Sequence, residues 1–152
     1  MIAIFSCAAL VALAFQFASQ GVLISLRSLM LFIAVSMVLL AIQKLKDLYS
    51  FANSFITYDL LAMRNLRYAY TYPFLEAYAG IGMIAALPAL WVAPISLFIG
   101  IVGAVSVFKA VYIDKRELKC ACVGGDSNVP LGFVSLTENL FMIAGGLLMF
   151  VR

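Results

Sequence analysis

Two thiols stand two residues apart in Cys120-Ala121-Cys122. Asp114-Lys115-Arg116-Glu117-Leu118-Lys119 precedes them and Val123-Gly124-Gly125-Asp126 follows. A disulfide between such neighbours closes a small, strained ring, and strained bridges are labile rather than structural. Lys119, Arg116 and Lys115 would stabilise a thiolate and so make a nucleophile. The glycines let a second backbone approach closely. The pattern fits a dithiol that exchanges disulfides with a partner. Two rival readings stay open. Paired thiolates also bind soft ions such as Cu(I), although two ligands are few and no histidine or methionine cluster accompanies them. The pair could equally be two small, idle residues in a tight loop. The third cysteine, Cys7, sits in an apolar run and reads first as a small hydrophobe, and only second as a third redox partner.

Glu76 and Glu138 are the next signal, each inside an apolar stretch. A carboxylate within a membrane helix is costly unless it is neutralised or paired, so it defaults to a functional hypothesis. At 1.5 Å per residue, both fall roughly 10 Å from the same end of their spans. Lys109 approaches that end from a third span, with Asp59, Arg64 and Arg67 nearby. The expected pairing is therefore Lys109 with Glu138 or Glu76, with Thr137 and Asn139 as further donors. Such a pair could relay protons beneath the thiols, or simply lock helices together.

The elements that must hold these groups are transmembrane helices. Of 152 residues, 66% are hydrophobic and 11% charged, against about a quarter charged in soluble domains. The apolar runs are continuous rather than alternating, which favours helices over a barrel. Five spans are expected: 2–18, 29–42, 70–87, 92–113 and 131–151. Residues 2–18 read as a true helix rather than a secretory signal, because no basic residue precedes the run. Residues 43–67 would end the second helix and continue along the interface. Pro88 and Pro94 bracket a turn, and Gly124, Gly125 and Pro130 mark the loop before the last span. Gly80, Gly100, Gly103, Ala104, Gly145 and Gly146 read as close helix contacts. Five spans put Lys44, Lys46, Arg64, Arg67, Lys109, Lys115, Arg116 and Lys119 on one side, eight of the ten Lys and Arg. The positive-inside rule makes that side cytoplasmic, together with the amino terminus and the Cys-Ala-Cys loop. A charge of +3 is too small and scattered for nucleic acid. The absence of histidine argues against Ser/His/Asp and Cys/His hydrolases.

Lys44-Leu45-Lys46-Asp47 with Phe51, Tyr72-Pro73-Phe74-Leu75-Glu76-Ala77, Lys109-Ala110-Val111-Tyr112 and Lys119-Cys120-Ala121-Cys122-Val123-Gly124-Gly125 together resemble the MauE/DoxX family of redox-associated membrane proteins. The likeness is strongest to a branch in which this membrane unit follows a glutaredoxin-like domain. It covers about residues 27–152. It implies an all-α, polytopic membrane bundle with a DoxX-like four-helix core at 27–152. Residues 1–26 then add an N-terminal transmembrane helix and connector. It also implies thiol–disulfide handling, such as maturation of a disulfide-bearing protein in methylamine utilisation. Either the soluble module of the fused members is then expected on a separate chain, or this chain is expected to be a membrane-only relative.

The expected function is membrane-embedded thiol–disulfide exchange in a bacterial inner membrane, with a thioredoxin- or glutaredoxin-like partner. Its candidate residues are Cys120, Cys122, Lys119, Lys109, Glu76 and Glu138, and a thiol–disulfide oxidoreductase is the candidate activity. A membrane quinone is the candidate electron carrier, although no residue marks a pocket for it. No resident metal is expected. The alternatives are a soft-metal or small-solute transporter, with Cys120 and Cys122 as metal ligands, and a non-catalytic membrane scaffold.

Overall fold

In the computed structural model, residues 2–20, 25–115 and 132–151 are described. They form α1 (Ile2–Gln20), α2 (Leu26–Lys46), α3 (Leu48–Phe55), α4 (Leu66–Ile84), α5 (Ala89–Phe108) and α6 (Phe133–Val151). A π-helical turn, Lys109–Ile113, extends α5. α2 packs on α4, α4 on α5, α5 on α6 and α6 back on α2, and α1 lies against α2. The result is a ring of four helices with the amino-terminal helix outside it, as the sequence led us to expect.

The boundaries follow from local chemistry. Ser25 starts α2 with a reciprocal cap: its hydroxyl accepts from Ser28 N–H at 3.2 Å, and its own N–H donates to the Ser28 hydroxyl at 2.8 Å. This satisfies two of the orphan donors at a helix start. Asp47 breaks the chain direction after α2 and caps α3, its Oδ1 accepting from Ser50 N–H at 3.0 Å. α2 and α3 therefore part at a single residue. α4 ends in a Schellman arrangement, with Ala86 N–H donating to Met83 O and Leu87 N–H to Gly82 O at 3.0 Å. Ala86 takes the left-handed position, at φ 56°. The turn closes at Pro88. Pro94 lies inside α5 rather than bracketing the turn, because the helix already begins at Ala89.

Leu26–Lys46, Ala89–Ile113 and Val134–Val151 are long and apolar enough to cross a bilayer. The apolar part of α1, Ala3–Ser19, is shorter. α4 has 19 residues, about 28 Å of helix, but Arg67, Thr71, Glu76 and its tyrosines dilute its apolar run. Large apolar side chains face outward on several helices, among them Leu10, Phe15, Trp91, Ile101, Val105, Leu147 and Phe150. A helix apolar on all sides needs either lipid or protein around it.

Lipid gives no hydrophobic drive between helices, so close packing and interhelical hydrogen bonds must hold the ring. The expected small residues serve this. A methyl at Gly80 would come within 2.9 Å of Ala34 O on α2, and one at Gly100 within 3.1 Å of Asn139 O on α6. Gly145 and Gly146 similarly admit Ile33 and Leu97. Ser96 on α5 donates to Met142 O on α6 at 2.7 Å.

Candidate functional site

Lys44 ends a row of α2 residues, Ile33, Ala34, Met37, Leu40 and Ala41, that is buried at three- and four-residue steps. The row is the core-facing stripe of a helix, and Lys44 is its next member. Glu76 occupies the corresponding stripe of α4, between Tyr72, Pro73, Ala79 and Gly80. On α6 the stripe runs Ser135, Glu138, Asn139, Met142. Three charged groups therefore point inward from three helices of the ring. They meet: the Lys44 ammonium contacts Glu76 Oε2 at 2.6 Å and also pairs with Glu138 Oε1. Lys44 is 2% exposed, Glu76 0% and Glu138 4%.

The expected cation is thus replaced. Lys109 falls outside the buried stripe of α5, which runs Gly103, Ser106, Val107 and on to Ala110. It is exposed where the π-helical turn begins, and Lys44 takes the partners assigned to it. The two glutamates do converge at one end of the bundle.

Aromatic rings enclose the ion cluster. The Tyr72 ring lies 5.2 Å from Lys44 Nζ, where a ring face attracts a cation. Its hydroxyl reaches Met142 Sδ at 3.7 Å. From α3, Phe55 packs on Tyr72 at 4.7 Å between ring centres, and Phe51 stacks on it at 6.0 Å. The segment expected to lie along the interface therefore also roofs the ions with its inward face. A cavity of about 10 Å³ remains. Its lining includes Lys44, Glu138, Tyr72, Tyr58 and Asn139, and it has room for about one water. Asn139 Nδ2 donates to Ser135 O at 2.7 Å, while its Oδ1 has no hydrogen-bond partner, nor has Glu76 Oε1.

A third buried carboxyl, Asp59, lies in the segment between α3 and α4. Its Oδ1 accepts from Leu61 N–H at 3.0 Å and Ala62 N–H at 2.9 Å. Burial holds its pKa above the ordinary carboxyl value, and the two backbone donors and Ser106 only partly offset this. Ser106 also ties the same segment to α5 by accepting from Leu60 N–H at 3.0 Å.

Cys120, Cys122, Lys119 and Arg116 lie outside the described residues. The described chain leaves at Lys115, just beyond the π-helical turn, and returns at Gly132, three residues before Ser135. Cys7 is exposed on α1, away from the ion cluster's lining. Among the described residues, no three His, Cys, Asp or Glu come together as a metal site.

Residues 19–152 match the family model described as methylamine utilisation protein MauE. No curated protein and no solved structure matches the chain.

Proposed function

The chain belongs to the MauE family, and from that premise we propose that it is a membrane thiol–disulfide redox protein that helps mature a disulfide-containing protein. The family's description links it to methylamine utilisation, and the apolar helices place the chain in a membrane. Cys120 and Cys122 would be the working thiols. In each exchange the dithiol passes two electrons and two protons to a partner disulfide. Cys120–Cys122 closes as a disulfide and the partner opens to a dithiol, and the reverse exchange resets the pair. A thioredoxin- or glutaredoxin-like protein supplies that partner chemistry. Lys119 and Arg116 would favour the attacking thiolate.

One observation carries this reading. The described chain on either side of 116–131 reaches the buried ion cluster, since Val107 of α5 and Ser135 of α6 line the same cavity as Lys44 and Glu138. In this reading the cluster would serve as the polar floor of the thiol site. Lys46, Arg64, Arg67, Lys109 and Lys115 are exposed, and with five crossings the positive-inside rule would favour the cytoplasmic side of a bacterial inner membrane for this end.

The test uses the full chain with Cys7→Ala, so that only the pair reports. Membrane-impermeant thiol reagents are applied to sealed vesicles of each orientation, followed by redox equilibration in detergent. Labelling from the cytoplasmic side, with a potential in the glutaredoxin range of about −200 to −230 mV, is the expected result. Tight Cu(I) binding without disulfide formation would overturn it in favour of metal handling.

A further inference from the structure

One lysine and one glutamate suffice to tie two helices, and here a second carboxylate brings a third helix onto the same ammonium. With all three groups ionised, Lys44, Glu76 and Glu138 sum to one negative charge, sealed among Tyr72, Phe51 and Phe55. A net charge withdrawn from water is costly in a membrane protein. No second cation neutralises it: among the described residues Lys44 alone forms ion pairs. Among the described residues, the facing groups on every packed element leave that charge unanswered. α4 supplies Tyr72 and, one turn away, Tyr68; the segment before α4 supplies Tyr58; α6 supplies Ser135 and Asn139; α5 supplies Gly103 and Val107. None of these carries a positive charge.

We propose that the Lys44–Glu76–Glu138 cluster is a proton-binding site, holding one exchangeable proton shared between its two carboxyl groups. Both carboxyls sit on one ammonium, so they are neighbours between which a proton can pass, directly or through a water in the cavity. Binding it takes the cluster from one negative charge to zero while Lys44 stays an ammonium. The cavity provides the exchange route. It is about one water in size and is lined by Lys44 and Glu138. Asn139, 5% exposed, borders it with Oδ1 unpartnered, an acceptor for the water that would carry the proton. Glu76 Oε1 is a second unused buried acceptor. The ligand is a proton with its attendant water, and the site does not depend on the thiol chemistry.

Infrared spectroscopy of the full chain in nanodiscs, titrated in pH, reads the protonated carboxyl directly. At neutral pH the wild type should show a protonated-carboxyl stretch equivalent to one group in this cluster, shifting in heavy water. Glu76→Gln and Glu138→Gln should each abolish it, because Lys44 and the remaining carboxylate are already neutral together. Asp59→Asn should leave it in place, which separates the cluster from the other buried carboxyl. A wild type without the band near neutral pH, or a band that survives both glutamine variants, would overturn the proposal.

Discussion

Lys44→Met should be the most damaging single substitution among the charged residues of this chain. The methionine keeps the apolar stem and removes the ammonium from between Glu76 and Glu138, whose oxygens both contact it. The carboxylate that shared the ammonium with the proton-bearing carboxyl is then left unpaired. An ammonium and a carboxylate whose charge centres stand about 4 Å apart attract by about 4 kcal/mol at an effective dielectric of 20, and that attraction is lost. Mutational experience with one partner removed from a buried pair gives about 3–5 kcal/mol. Either figure corresponds to a fall in Tm of roughly 10 °C for a chain of this size. The loss should shrink as pH falls, because protonating the stranded carboxylate removes its charge. Glu76→Gln and Glu138→Gln should cost much less, since each leaves Lys44 paired with one carboxylate. Combining all three substitutions should recover much of the deficit, because it removes the charges together. Lys109→Met, at an exposed site, should stay within about 0.5 kcal/mol of wild type. Thermal unfolding in detergent, followed by circular dichroism at several pH values, measures all of these. A Lys44→Met protein as stable as wild type, or glutamine variants that match its loss, would refute the charge-balance reasoning.

Two further expectations concern the segments that frame the cluster. The Asp59 carboxyl has its pKa raised by burial, so the folded state holds this proton more tightly than the unfolded chain. Its contribution to stability is therefore greatest at acid pH and is lost as pH climbs from the ordinary carboxyl value through the raised one. Asp59→Asn keeps the acceptor for Leu61 and Ala62 and removes the charge. It should flatten that decline and match or exceed wild type at neutral pH, read from melting curves across pH. Ala86→Gly relieves an L-residue at φ 56° in the Schellman turn and should stabilise by about 1 kcal/mol. A lower melting temperature for Ala86→Gly would mean that its methyl contributes packing outweighing the strain.

The ring of helices was readable because lipid imposes length and apolarity on whatever crosses it. The apolar cores of α1, α2, α5 and α6 stand out as continuous runs, and that of α4 as a diluted one. Their ends were less legible, because caps are made by short-range partners rather than by hydropathy. The second run ends at Ile42 on apolar content and the residues after it read as the helix's end; the helix continues to Lys46, and the stop itself is set by Asp47, which caps α3. Pro94 suggested a turn, but it stands in the second turn of α5, and membrane helices tolerate proline because neighbouring groups satisfy the backbone it frees. The roofing role of α3 depends on Phe51 and Phe55 meeting Tyr72 on another helix, a contact that no local pattern encodes.

The cluster itself was half legible, and the missed half has an instructive cause. Glu76 and Glu138 stand out because each interrupts an apolar run, so depth alone flags them. Lys44 falls beyond the apolar run and looks like an interfacial anchor, whereas Lys109 follows Phe108 within a run and looks buried. Helical register reverses both readings. Lys44 continues the three- and four-residue steps of Met37, Leu40 and Ala41, so its side chain must enter the bundle even though its neighbours Lys46 and Asp47 are exposed. Lys109 breaks the corresponding steps of Gly103, Ser106 and Val107 on α5, so it turns outward. Near the end of a membrane helix, the face on which a charged residue stands decides its environment more strongly than its distance along the sequence does. A lysine carried inward on the core stripe must find carboxylates there, and two glutamates on the stripes of facing helices are what it finds.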